Sequence, residues 1–134
     1  MISAQEARLA YRLIRTVEAE LLQTLLRRLA RWSQVRILDG SSSIRNGYRD
    51  ESLRLPTVSF VHENISSHEI YTHCQEQGII CRNGFFLCTR YLATDLEFQD
   101  HPHGVFRVSL AHYNTPQEVQ ALCDTLESMP KWFG

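Results

Sequence analysis

Residues 104–118 read GVFRVSLAHYNTPQE, and the fold follows from how this stretch alternates and then stops. Val105, Arg107, Ser109 and Ala111 interleave with Phe106, Val108, Leu110 and His112. A period of two is that of a strand, whose successive side chains point to opposite faces. Tyr113-Asn114 then turns the chain. Thr115 can cap a helix, Pro116 suits its first position and Glu118 completes a capping box. The stretch therefore predicts a strand, a tight turn and a helix, with one guanidinium in mid-strand. An unpaired charge is costly to bury, so Arg107 has to face water, a partner or a ligand.

Working upstream, residues 85–94 read as a short helix and Asn83-Gly84 as a turn. Residues 79–82 read as a strand entered directly from a helix at about 67–75. Ser66 and Glu69 open that helix with a capping box, and Gly78 stops it. Residues 56–62 (PTVSFVH) form another strand, with Val58, Phe60 and His62 on one side. Residues 35–38 are a short strand. The run DGSSSIRNGYRD over 39–50 is a loop or hairpin tip, and 95–103 a polar loop. Downstream, the last helix covers 116–126 and 129–134 form a tail.

Residues 4–31 read as one long helix. Leu9, Leu13, Val17, Leu21, Leu25, Leu29 and Trp32 recur every three or four positions, and Ile14, Leu22 and Leu26 widen the stripe. Such a helix is roughly 40 Å long, more than a small domain is wide. Its stripe can pack wholly across its own sheet, reach something outside this chain, or pair with a second copy as a coiled coil.

The order helix, strand, strand, helix, strand, short helix, strand, helix predicts an α/β (α+β) two-layer sandwich. A mostly antiparallel small sheet is covered by helices, with the long N-terminal helix in front. At 134 residues this is one domain, 1–134, made of the helix 4–31 and a small α/β domain 35–128. A net charge of −1 gives no pull toward nucleic acid or anionic lipid, and no apolar run has membrane-spanning length. Cys74, Cys81, Cys88 and Cys123 form no C-x-x-C pair, and the N-terminus has no signal-peptide pattern. These features fit a cytoplasmic protein with reduced thiols.

GVFRVSLAHYNTPQEVQAL, together with PTVSF and GIICRNG, resembles the closing segment of class V aminotransferase-fold enzymes. These depend on pyridoxal phosphate (PLP), and the likeness is greatest to the cysteine desulfurase-like family. The resemblance covers most of the chain, the long helix being similar to the family's inter-domain helix. It implies the C-terminal small domain of a transferase or lyase, with Arg107 binding the carboxylate of an amino-acid substrate. Asn83, Gly84, Phe85 and Phe86 would line the substrate side. It also implies a PLP-bearing large domain on the same or a separate chain, and a homodimer in the full enzyme. Desulfurases carry Arg-x-Gly-x-x-Cys here, where this chain has Leu87, with Cys88 one residue late. On a helix that is a rotation of about 100°.

Such enzymes hold PLP as a Schiff base to a lysine, and the one lysine here, Lys131, lies in the tail. We therefore expect no catalytic residue, no covalently held cofactor and no metal in this chain, and no activity from it alone. Without the resemblance, Arg107 reads as a structural salt bridge or a residue of an exposed strand face, and a second reading of the chain is a non-catalytic interaction or dimerisation module that docks through the long helix. A small-carboxylate sensor using Arg107 is a third reading. His101 and His103 share a loop, but two histidines without a third ligand make a weak metal site. His62, His68, His73 and His112 read as surface or strand-face residues, and Cys88 as a small buried hydrophobe.

Overall fold

The computed structural model describes residues 1–38, 55–94 and 100–134, so the expected loop at 39–50 and positions 95–99 lie outside the described residues. Helix α1 (Ala4–Leu29) opens the chain. Ser3 caps it reciprocally: Glu6 N–H donates to the Ser3 hydroxyl, and Ser3 N–H to the Glu6 carboxylate at 2.7 Å. Burial is confined to its second half, through Leu21, Leu22, Leu25, Leu26 and Leu29. Leu9, Leu13 and Val17 belong to the same stripe but stay exposed. The helix thus outruns the body it packs on.

Strand β1 (Val35–Ile37) and strand β2 (Thr57–His62) follow, then helix α2 (Ser67–Glu76), strand β3 (Arg82–Gly84), helix α3 (Thr89–Thr94), strand β4 (Val105–Ser109) and helix α4 (Pro116–Glu127). The strands form one sheet in the order β1-β2-β4-β3, with every pair antiparallel. The α/β two-layer architecture read from the sequence is the one found.

Partners in an antiparallel register share a face. Val58 opposes Val108, and Phe60 opposes both Ile37 and Phe106. These residues meet α1, α2 and α4 in the main core, with Leu25, Leu26, Ile70, Val119, Leu122 and Leu126. The other face carries Ser59, Arg107 and Arg82 side by side, and Val61 and Val105 lower down. Val61 and Val105 are covered by a second, smaller cluster with Leu92 of α3, against which Phe86 and Cys88 pack.

Helices α1 and α4 are tied at one point by Arg28. Its Nε and Nη2 donate to the two Glu127 carboxylate oxygens at 2.6 and 2.8 Å, and Nη2 also to Asp124 at 3.1 Å. This bidentate pairing pushes the Arg28 pKa up and the Glu127 pKa down.

Four expectations change. Strand β3 begins at Arg82, not at residue 79: Gly78 reverses the chain at φ +76°, and Ile79 N–H is taken by Cys74 C=O at the end of α2. Asn83-Gly84 pair with Phe106 and Val105 inside the strand, and the turn falls later, at Phe86 and Leu87. Both have left-handed φ (49° and 63°), so the helix expected from 85 starts only at Thr89. The expected tail is anchored in the core: Trp132 is fully buried, 5.0 Å from Trp32 and 4.6 Å from His62 between ring centres. His62 keeps the strand-face place it shares with Phe60, and that face is buried under Trp132. Its Nε2 meets Trp132 C=O at 2.9 Å, and its Nδ1 accepts from Asn64 N–H at 3.1 Å.

Candidate functional site

Arg107 occupies the middle of β4 on the face turned away from the helix layer, half-buried between Ser59 of β2 and Arg82 of β3. Two arginines directly opposite each other repel, and such a pair is destabilising unless an anion is shared. Neither has a carboxylate partner within ion-pair distance among the described residues. The contact the structure gives Arg107 is with an aromatic ring: its guanidinium carbon lies 3.7 Å from the centre of Phe86. A cation over a ring face is held by the ring quadrupole while its hydrogen-bonding capacity stays open.

The turn that delivers Phe86 is built from close backbone contact. Gly104, at φ +69°, lies against the Gly84 carbonyl so tightly that a side chain there would overlap it. Cys88 N–H donates to Phe85 C=O at 2.9 Å and the Cys88 thiol donates to the same oxygen at 2.6 Å. Cys88 is half-buried and serves the turn, more than the plain hydrophobe expected. Leu87, at the position of the desulfurase-type cysteine, is fully exposed.

The residues singled out from sequence do not all converge. Phe86 and Arg107 touch; Gly84 pairs with Val105 on the same strand pair, and Phe85 stands at the exposed edge of the turn. Asn83 is paired with Phe106 and so shares the helix-side face, opposite to Arg107. In the sequence, Arg82 stands out only as the first residue of the Arg-x-Gly pattern. Its place beside Arg107 depends on the β3–β4 register, which a three-residue strand does not announce. Gly104 carried a usable signal, a glycine at the mouth of a strand, but the clash it avoids lies with a residue twenty positions away.

Lys131 is exposed in the C-terminal turn, one residue before Trp132, which packs against Phe60 and His62 on the helix-side face. Arg107 is on the other face. The chain's one side-chain amine and its carboxylate-binding candidate therefore do not share a site, and the described residues do not fit a coenzyme held as a lysine Schiff base. His68 and His103 approach at 5.8 Å between ring centres, but no group of three metal-ligating side chains occurs among the described residues. An open apolar groove of about 300 Å³ runs between Ile79-Ile80, Leu110 and α4, lined by Val119 and Leu122. It leaves Arg107 out. No helix among the described residues is long and apolar enough to cross a membrane.

Compared with known proteins, residues 2–122 match the model of the aminotransferase class-V family. With most of the chain matched, this protein belongs to that family. The aminotransferase-like protein FGM3 of Gibberella zeae is 40% identical over 81 residues, which are 58% of this chain and 19% of FGM3. A NifS-like protein from Rickettsia africae ESF-5 superposes with a TM-score of 0.64 at 19% identity, over 85% of this chain and 28% of that one. That likeness is one of fold. The chain spans about a fifth of the length of the curated relative and little more than a quarter of the solved one.

Proposed function

We propose that residues 1–134 act as one domain, the substrate-carboxylate-binding part of a cysteine desulfurase-like PLP enzyme whose remaining parts lie outside this chain. Arg107 would take the carboxylate of an amino-acid substrate through parallel N–H bonds, and Arg82 would reinforce the field on the same face. Phe85, Phe86 and the Gly84 main chain would border the substrate, with Asn83 contributing through its backbone, and the domain would close over the site. The observation that carries this reading is the pair of arginines opposed across β3 and β4 with no carboxylate in ion-pair distance of either among the described residues.

The coenzyme is implied by the family. Lys131 lies on the wrong side of the sheet to hold it near Arg107, so its holding belongs to a large domain, on the same or another chain. The exposed first half of α1 supports docking to such a domain, since Leu9, Leu13 and Val17 have nothing of this chain to cover them among the described residues. A homodimer of the full enzyme and a cytoplasmic location, suited to four free cysteines, complete the proposal.

The test uses the 134-residue chain. L-alanine titrated at millimolar concentration should shift the amide resonances of β3 and β4, and Arg107→Gln should weaken that response by about tenfold. An unchanged response in Arg107→Gln would overturn the assignment. Borohydride trapping of PLP at Lys131 together with turnover of L-cysteine would overturn the division of labour between domains.

A further inference from the structure

We infer that Phe86 is a positioning residue for Arg107, holding the guanidinium plane so that its N–H fork is presented to an anionic ligand; this rests on Arg107 being the carboxylate binder. The separation of 3.7 Å decides the orientation. An N–H pointing into the ring would need more space between carbon and ring than that, so the guanidinium lies flat on Phe86. Its five N–H donors then radiate in the plane, where a carboxylate can accept two of them in parallel.

The cost of placing the ring there is visible in the backbone. Phe86 and Leu87 are the two non-glycine residues with left-handed φ among those described, and neither has the side chain such a conformation favours. Burial does not explain both, because Leu87 gains nothing from it and is fully exposed. The strained pair delivers one ring. That ring packs on Val61, Leu92 and Val105 with one part and meets Arg107 with its face. Three fastenings keep it aimed: the Gly84–Gly104 approach, the Cys88 N–H and the Cys88 thiol, the last two on the Phe85 carbonyl. Strained conformations persist where the surroundings over-determine them, and they concentrate at ligand clamps.

Arg82 supplies the reason a clamp is needed. It stands across from Arg107 on the same face, and mutual repulsion would drive an unsupported Arg107 side chain outward into solvent. A ring beneath it restores a single orientation before any ligand arrives, which reduces the ordering cost on binding.

The experiment compares the 134-residue protein with Phe86→Leu, Phe86→Ala and Phe86→Tyr. In the unmodified protein, the Arg107 Nε–Hε resonance should carry an upfield ring-current shift, and its absence would overturn the stack directly. In L-alanine titrations, Phe86→Leu, which keeps an apolar side chain of similar bulk, should weaken binding on the order of fivefold, and Phe86→Ala at least as much. Phe86→Tyr should retain binding within about twofold, because its face is equivalent. If Arg107→Gln weakens the response to L-alanine as expected while Phe86→Leu leaves it at the level of the unmodified protein, Phe86 is packing alone and the inference fails while the carboxylate reading stands. If the unmodified protein shows no Arg107-dependent response, both fall together. Should Phe86→Ala not fold, the Leu and Tyr variants and the ring-current shift decide the matter.

Discussion

Gly104 and Gly78 separate two costs that are usually mixed. Both have left-handed φ, +69° and +76°, but a Cβ at Gly78 would meet nothing within 4 Å whereas one at Gly104 would overlap the Gly84 carbonyl. Gly78→Ala should therefore cost only the conformational term, about 1 kcal/mol in urea unfolding. Gly104→Ala should cost distinctly more, above about 2 kcal/mol, and should also weaken L-alanine binding because it moves the turn that holds Phe86. Equal midpoints for the two variants would contradict the close approach. His62 gives a pH prediction. Burial lowers its pKa, outweighing its hydrogen bond to Trp132 C=O. A histidine whose folded pKa lies below its unfolded value contributes stability fully above the unfolded value. That contribution is lost as pH falls through it, so stability should begin to drop below about pH 6.5. The lowered carboxyls of Glu6, Glu69 and Glu118 add their own loss once pH falls below the ordinary carboxylate value. A variant His62→Gln should flatten the profile just below about pH 6.5, where the unmodified protein starts to lose this contribution. Arg107 was legible as an oddity from its charge in an alternating run. His62 was not, because alternation assigns a face without saying whether that face is covered.

Among the elements, the capping boxes were the most readable features. Ser66 with Glu69 and Thr115 with Glu118 start α2 and α4 where the local sequence put them, since capping chemistry is complete within four residues. Strand β3 starts three residues later than propensity suggests, because Ile79-Ile80-Cys81 favours a strand locally while the backbone partner that makes one, β4, is a matter of register. Helix α1 was recognised but its stripe is used over half its length. Deletion of residues 1–16 should leave the thermal midpoint within a few degrees of the full chain, whereas Leu25→Ala should cost 2–5 kcal/mol, about what a buried leucine loses to a cavity. A large loss on deletion would mean that the exposed half is folded against this chain after all. Arg28→Ala should cost about 1 kcal/mol, less in high salt, because Arg28 is only partly shielded from water.

At the scale of the whole molecule, helices and sheet make a two-sided body with unequal faces. One is closed by α1, α2 and α4; the other is covered by α3 at one end and bears Arg82 and Arg107 beside it. The family was legible because its motif spans a strand, a turn and a cap in contiguous sequence. The division between the faces was not, because it depends on the strand order β1-β2-β4-β3. The tail shows the same limit: PKWFG has no pattern of its own, yet Trp132 fills the space between Trp32, Phe60 and His62. Since these two indoles are the only ones in the sequence and lie edge to face at 5.0 Å, tryptophan emission reports a single corner of the protein. A fluorescence melt will follow the release of the C-terminus from the end of β2 and stay blind to the loop beneath Arg107. Far-ultraviolet dichroism, weighted by α1, will follow the helix instead, so any gap between the two curves measures how independently the ends of this chain come apart.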